Sequence, residues 1–219
     1  MFPHPETANS DGLLALGGDL SARRLLLAYR YGIFPWYSEG DPIMWWSPDP
    51  RCVLFPDDLK VSKSMRKLLG RSPYRVTIDR DFSGVIQACS ANVRKGQDGT
   101  WITDEMIDAY ENMHRLFYAH SVEVWEGEKL VAGLYGIALG SIFFGESMFT
   151  TVSDGSKYGF IKFVHFLREE GFSLIDCQQD TKHLRSLGAI TISRSDFLAR
   201  LKENNRGVDV VRKWQGDLR

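Results

Sequence analysis

The chain reads Ser141-Ile142-Phe143-Phe144-Gly145-Glu146-Ser147-Met148-Phe149, then a run of helical period over 156–170, then Phe172-Ser173-Leu174-Ile175-Asp176-Cys177-Gln178. The outer two segments are short and apolar, which suits strands, and Gly171 stops the helix between them. Upstream, 130–138 is a further strand, joined to 141–149 at Gly140. Before it, His120-Ser121-Val122-Glu123-Val124-Trp125 alternates at strand period and turns at Glu126-Gly127-Glu128. Further out lie a basic helix over 63–70, a strand over 74–78, and helices near 80–91 and 103–117. Downstream come a short helix through Leu184, a strand at Ile190-Thr191-Ile192 and a helix over 195–203. Helix pairs, an antiparallel meander, then helix, strand, helix, strand predict an α/β fold of the α+β kind built on a mixed sheet.

Two of these strands carry groups that do not belong in an apolar run. Glu146 and Asp176 lie on segments expected to be neighbours in the sheet, and burying a carboxylate costs several kcal/mol unless a cation or donor meets it. Two such sites point to a pocket that receives something positive. Internal ion pairs are the bland alternative.

Residues 1–61 have another texture. Leu13-Leu14-Ala15-Leu16-Gly17-Gly18-Asp19-Leu20 leads into a helix over 21–31 that stops at Gly32. Phe34-Pro35-Trp36-Tyr37 and Trp45-Trp46-Ser47-Pro48-Asp49-Pro50-Arg51 follow. Proline at that density excludes a long helix or a central strand, so the segment reads as irregular chain pinned by aromatics. The expected division is a small N-terminal domain, 1–61, and a larger one, 62–219.

With 219 residues, 43% hydrophobic and 25% charged, the chain has the make-up of a soluble globular protein with a substantial core. A net charge of -1 gives no general affinity for nucleic acid, so any polyanion contact needs a local basic patch. Lys63, Arg66, Lys67 and Arg71, at helical spacing, are the one dense candidate. Cys52, Cys89 and Cys177 show neither paired nor zinc-ligand spacing. No signal peptide and no membrane-length apolar run is read, which predicts a cytoplasmic protein with reduced thiols.

Several ordered stretches resemble one family, the bacterial leucyl/phenylalanyl-tRNA–protein transferases. They are 12–20, Gly32-Ile33-Phe34-Pro35-Trp36, 45–51, Gly99-Thr100-Trp101-Ile102-Thr103, 120–125, 145–149, 174–178 and Ser186-Leu187-Gly188-Ala189. The likeness runs from Phe2 to about Leu198. Mild departures are Ala22, Thr150 and Gly155, where the family commonly has Pro, Ser and Ala. The resemblance implies a GNAT-type acyltransferase domain behind a small N-terminal domain, with no cofactor, no metal and a monomeric state. It implies transfer of Leu or Phe, less readily Met, from aminoacyl-tRNA to proteins that begin with Arg or Lys, which creates an N-degron.

It also implies roles. The position matching Asp176 draws a proton from the attacking amine, with that matching Gln178 as relay; a route through the tRNA ribose hydroxyl stays open. Glu146 and Asp176 are the expected grip on the acceptor's cationic side chain, because Arg pairs with carboxylates in two-pronged fashion. Trp36 and Trp101 match positions that hold the 3′-terminal adenosine. Leu134, Phe143, Met148 and Ile175 are expected to line the Leu/Phe pocket, where a methionine suits both branched and aromatic guests. Lys63, Arg66, Lys67 and Arg71 are the expected tRNA contact, largely independent of sequence. Two rival readings are an acetyl-CoA-dependent acyltransferase and a non-catalytic module binding single-stranded RNA or sugar. Ser153-Asp154-Gly155-Ser156-Lys157 lacks the repeated glycines the first requires.

Overall fold

The computed structural model describes residues 1–91, 102–207 and 211–218. Its strands are β1 (Leu13–Leu16), β2 (Phe34–Pro35), β3 (Met44–Trp46), β4 (Arg51–Leu54), β5 (Arg75–Ile78), β6 (Ala119–Glu126), β7 (Lys129–Leu139), β8 (Ile142–Thr150), β9 (Leu174–Gln178), β10 (Ile190–Ile192) and β11 (Gly216–Asp217). Its helices are α1 (Ala22–Arg30), α2 (Lys63–Arg71), α3 (Phe82–Ala91), α4 (Asp104–Arg115), α5 (Gly155–Glu169), α6 (Lys182–Ser186) and α7 (Arg194–Asn204). Ser21, Ser62, Thr103, Thr181 and Ser193 cap five of the helices, each accepting a backbone N–H three residues on.

A large mixed sheet runs β10-β4-β9-β8-β7-β6-β5-β11, and a small one runs β1-β3-β2. Between neighbouring strands of the large sheet, β8 and β9 are parallel and the remaining described pairs antiparallel. The helix α5 supplies the crossover that a parallel pair needs. Along β7, alternate side chains serve two cores. Tyr135, Ile137 and Leu139 face α1, α3, α4 and α7 through Tyr29, Val85, Met106, Tyr110 and Phe197. Leu134 and Ala138 face α2 and α5 through Met65, Ile161, Phe163 and Leu167. The mixed α/β expectation therefore holds.

Three features differ from the sequence reading. The Pro/Trp segment contains short strands, and β4 is an internal strand of the large sheet, so the chain enters that sheet before residue 61. Proline permits this because Pro50 and Pro56 bracket β4 instead of interrupting its ladder. The tail beyond Asn204, short and polar in sequence, adds β11 to the edge of β5. It also buries Trp214 against Phe166 and Phe172, at ring separations of 5.2 and 5.6 Å. Cys52, Cys89 and Cys177 are free thiols. No helix among the described residues is long and apolar enough to cross a membrane.

Candidate active site

The parallel pairing of β8 with β9 ends at Phe144 opposite Asp176. Just beyond that point both strands turn their residues into a cavity of about 380 Å³, the size of a small-ligand site. Leu134, Phe143, Met148 and Ile175 line it, together with Phe160 from α5, as an apolar wall. Phe34, Pro35 and Trp36 close another side, and His183 and Leu184 of α6 a third.

The pleat is broken on both strands where the polar groups sit. Tyr135 lies opposite Ser147 and Gly136 opposite Gly145, so Glu146 is an extra, unpaired residue on β8. Such a bulge re-aims a side chain, here into the cavity. Gly136 makes the arrangement possible, since a Cβ there would meet the Phe144 carbonyl oxygen at 2.2 Å. On β9, Val53 lies opposite Asp176 and Cys52 opposite Gln178, which makes Cys177 the extra residue. Gln178 then adopts a φ of +59°. The regular two-residue alternation expected between Asp176 and Gln178 thus does not apply, yet the Gln178 amide still reaches Glu146.

Glu146 is half-buried and held by two donors. The Tyr110 hydroxyl donates to Oε2 at 2.9 Å and Gln178 Nε2 donates to Oε1 at 3.1 Å. The Tyr110 hydroxyl also hydrogen-bonds that of Tyr29, so α1 of the N-terminal part reaches into the site. Burial pushes the Glu146 carboxyl up to about 7, with the charge of Asp176 adding and the tyrosine bonds opposing. Burial, and next the negative charge of Glu146, hold both tyrosines well above their ordinary range.

Asp176 is in a different state from the one expected. It is fully buried, and Arg51 Nε and Nη2 donate to its two oxygens at 2.8 and 2.7 Å. Oδ1 also accepts the Gln178 backbone N–H at 3.0 Å. Both oxygens are thus engaged by the protein's own groups, where the sequence predicts a grip on an incoming cation. This carboxylate forms an internal ion pair, and both it and Glu146 are among the residues that line the cavity. Strand β4 brings Arg51 there by pairing with β9.

Trp36 is half-buried at the cavity wall, braced by Trp46, whose Nε1 donates to the Trp36 carbonyl at 2.6 Å. Trp101 lies outside the described residues. Lys63, Arg66, Lys67 and Arg71 are all exposed along one side of α2, while Met65, Leu68 and Leu69 pack inward. The opposite side of the sheet from Tyr29 thus carries α2 against α5, the helix that gives Ser156 and Phe160 to the cavity.

Three residues of the site escaped the sequence reading. Arg51 ends the quoted Trp45–Arg51 stretch, but nothing local says that a buried acid waits on a distant strand. Tyr29 and Tyr110 occupy core-facing positions of amphipathic helices, where a tyrosine reads as packing.

Comparison with known proteins adds the chemistry. Residues 53–202 match the family model described as leucyl/phenylalanyl-tRNA protein transferase, and 18–49 match that family's N-terminal domain. A protein of Pseudomonas fluorescens strain Pf0-1 named leucyl/phenylalanyl-tRNA–protein transferase is 61% identical, over 91% of this chain and 90% of that one. Likewise named are proteins of Syntrophobacter fumaroxidans, 54% identical over 99% and 93%, and Nitrosospira multiformis, 53% identical over 98% and 93%. Among solved structures, L-PGS from Bacillus licheniformis aligns at a TM-score of 0.43 and 13% identity, covering 90% of this chain and 64% of that one, a likeness too distant to bear on function. Family models over 18–49 and 53–202, and relatives 53–61% identical over nine-tenths or more of the chain, place it in the leucyl/phenylalanyl-tRNA–protein transferase family of aminoacyltransferases.

Proposed function

We propose that the chain transfers Leu or Phe, and less readily Met, from aminoacyl-tRNA to the α-amine of proteins that begin with Arg or Lys, in the cytoplasm where both substrates are made. The product is a new N-terminal peptide bond and a bulky apolar first residue, which acts as an N-degron. One observation carries this reading: a single cavity joins the apolar wall of Leu134, Phe143, Met148 and Ile175 to the carboxylate of Glu146. An apolar aminoacyl side chain suits the first and a cationic acceptor the second. Two substrates of those chemistries can therefore meet at one ester.

The reaction asks little of the protein. An α-amine has an unperturbed pKa of about 7.7–8.0, so part of it is neutral at cytoplasmic pH. The amine attacks the ester carbonyl, the new C–N bond forms and the acyl–ribose bond breaks. The amine's proton passes to the departing ribose oxygen. Holding the two reactants in contact supplies most of the barrier reduction. Gln178, bonded to Glu146, lies beside the place the amine must occupy, and Asp176 acts through Gln178 by accepting its backbone N–H. Trp36 offers the face on which the terminal adenine stacks. The four exposed cations of α2 suit the acceptor-stem phosphates. We read the larger unit as a GNAT-type domain over 62–219 whose sheet takes in β4 from the small domain over 1–61. One parallel pair in an otherwise antiparallel sheet, at the cavity, supports the fold type.

Labelled Leu-tRNA incubated with peptides beginning in Arg, Lys or Ala tests the reading. Label is expected in the first two and absent from the third. Equal labelling of all three removes the role of Glu146, and no labelling of any removes the transfer reaction.

A further inference from the structure

Arg51 forms no part of the cavity wall, yet it holds a residue that does. Its side chain is 1% exposed and lies between two rings, with Cζ at 4.8 Å from the Phe34 centroid and 4.6 Å from that of Phe197. Two of its nitrogens grip Asp176, and the same carboxylate accepts the Gln178 N–H. Gln178 needs that acceptor. Its φ of +59° is a left-handed conformation that a side chain with a Cβ enters at a cost, and it persists where neighbours hold it. From that turn the Gln178 amide reaches Glu146.

Folding stability is a poor account of the pair. Two desolvated charges often contribute no more than apolar side chains of like volume would. Arg51 Nη1 is moreover buried without a hydrogen-bond partner among the described residues, a leftover that a purely structural pair would do better without.

We infer that Arg51 is a positioning residue: through Asp176 it fixes the backbone turn at Gln178 and thereby aims the Gln178 amide at Glu146 and the incoming amine. This rests on the transfer reading above. Arg is suited to the task and Lys is not, because the flat guanidinium meets both carboxylate oxygens at once while an ammonium is a point charge.

Two variants test it in the Leu-tRNA assay with an Arg-initiated peptide. Arg51→Lys keeps the charge and loses the fork. Its kcat should fall about 100-fold, the usual cost of an ångström-scale misplacement, with KM for Leu-tRNA unchanged. Its pH profile should also move. Glu146 faces Tyr29 of α1, Tyr110 of α4, Tyr135 of β7, and Asp176 and Gln178 of β9, with His183 of α6 on the same cavity. A less well neutralised Asp176 raises the midpoint of kcat/KM by about one unit. The second variant, Arg51→Met with Asp176→Leu, removes both charges together. It should melt close to wild type, as such replacements often do, and still be about 100-fold slow.

A double variant that turns over like wild type overturns the inference, since the pair would then serve folding alone. So does Arg51→Lys with wild-type kcat and an unmoved midpoint. If wild-type protein itself labels no peptide, the transfer reading fails, and that result is distinct from either.

Discussion

Replacing Glu146 with Gln keeps the size of the side chain and removes its charge, which isolates the electrostatic part of acceptor recognition. With the carboxyl at about 7, Glu146 is roughly one-tenth ionised at pH 6, half at pH 7 and nine-tenths at pH 8. If the ionised form grips the acceptor's cation, wild-type kcat/KM for an Arg-initiated peptide rises about tenfold across that range on this account alone. The acceptor's own α-amine titrates nearby and lifts the curve as well. The ratio of wild type to Glu146→Gln at each pH cancels that shared contribution and leaves the carboxylate. It should climb about tenfold from pH 6 to 8 with a midpoint near 7, and lower once the acceptor's positive charge occupies the site. A flat ratio, or a Gln variant that uses Arg-peptides as well as wild type, refutes the reasoning. The same shift has a folding consequence of fixed sign. A carboxyl raised from 4.5 binds its proton more tightly when folded. Its contribution is therefore fully present below 4.5 and declines as pH rises towards 7, by at most about 3 kcal/mol. Urea titrations at pH 5 and 8 should show this loss in wild type and not in the Gln variant.

Two further expectations concern the donor. Trp36→Ala should weaken aminoacyl-tRNA binding by about 1–3 kcal/mol, seen as a raised KM with kcat kept at saturating tRNA; an unchanged KM returns Trp36 to a packing role. Replacing Lys63, Arg66 and Lys67 together with Ala should reduce the slope of log affinity against log salt by about 2–3. An unaltered slope makes that side of α2 a solvated surface.

Much of the scaffold is legible in the sequence because its signals are local. The apolar run of 141–149, the helical period of 156–170 and the glycine stop at 171 predict β8, α5 and β9, and all three form. The apolar wall was legible too, since Leu134, Phe143, Met148 and Ile175 sit on strands that neighbour in order. What failed to show depends on partners far along the chain. Strand β4 is four residues between prolines, with no period of its own, and it becomes a strand because β9 and β10 flank it. Arg51 looked like the end of an irregular segment until β9 placed Asp176 beside it, 125 residues away. A carboxylate in an apolar strand announces that it needs a partner; it does not say whether the partner is a guest or an arginine of the same chain. Trp214 was invisible for a like reason, because a polar tail acquires a place in the core only from the aromatic residues that receive it.

The two surplus residues, Glu146 and Cys177, make the site sensitive to counting as well as to chemistry. Deleting the surplus residue from either strand would let the ladder close up in regular register, which a sheet welcomes, with the flanking pairs kept and the bulge that aims the polar groups gone. The resulting protein would be well knit and inert.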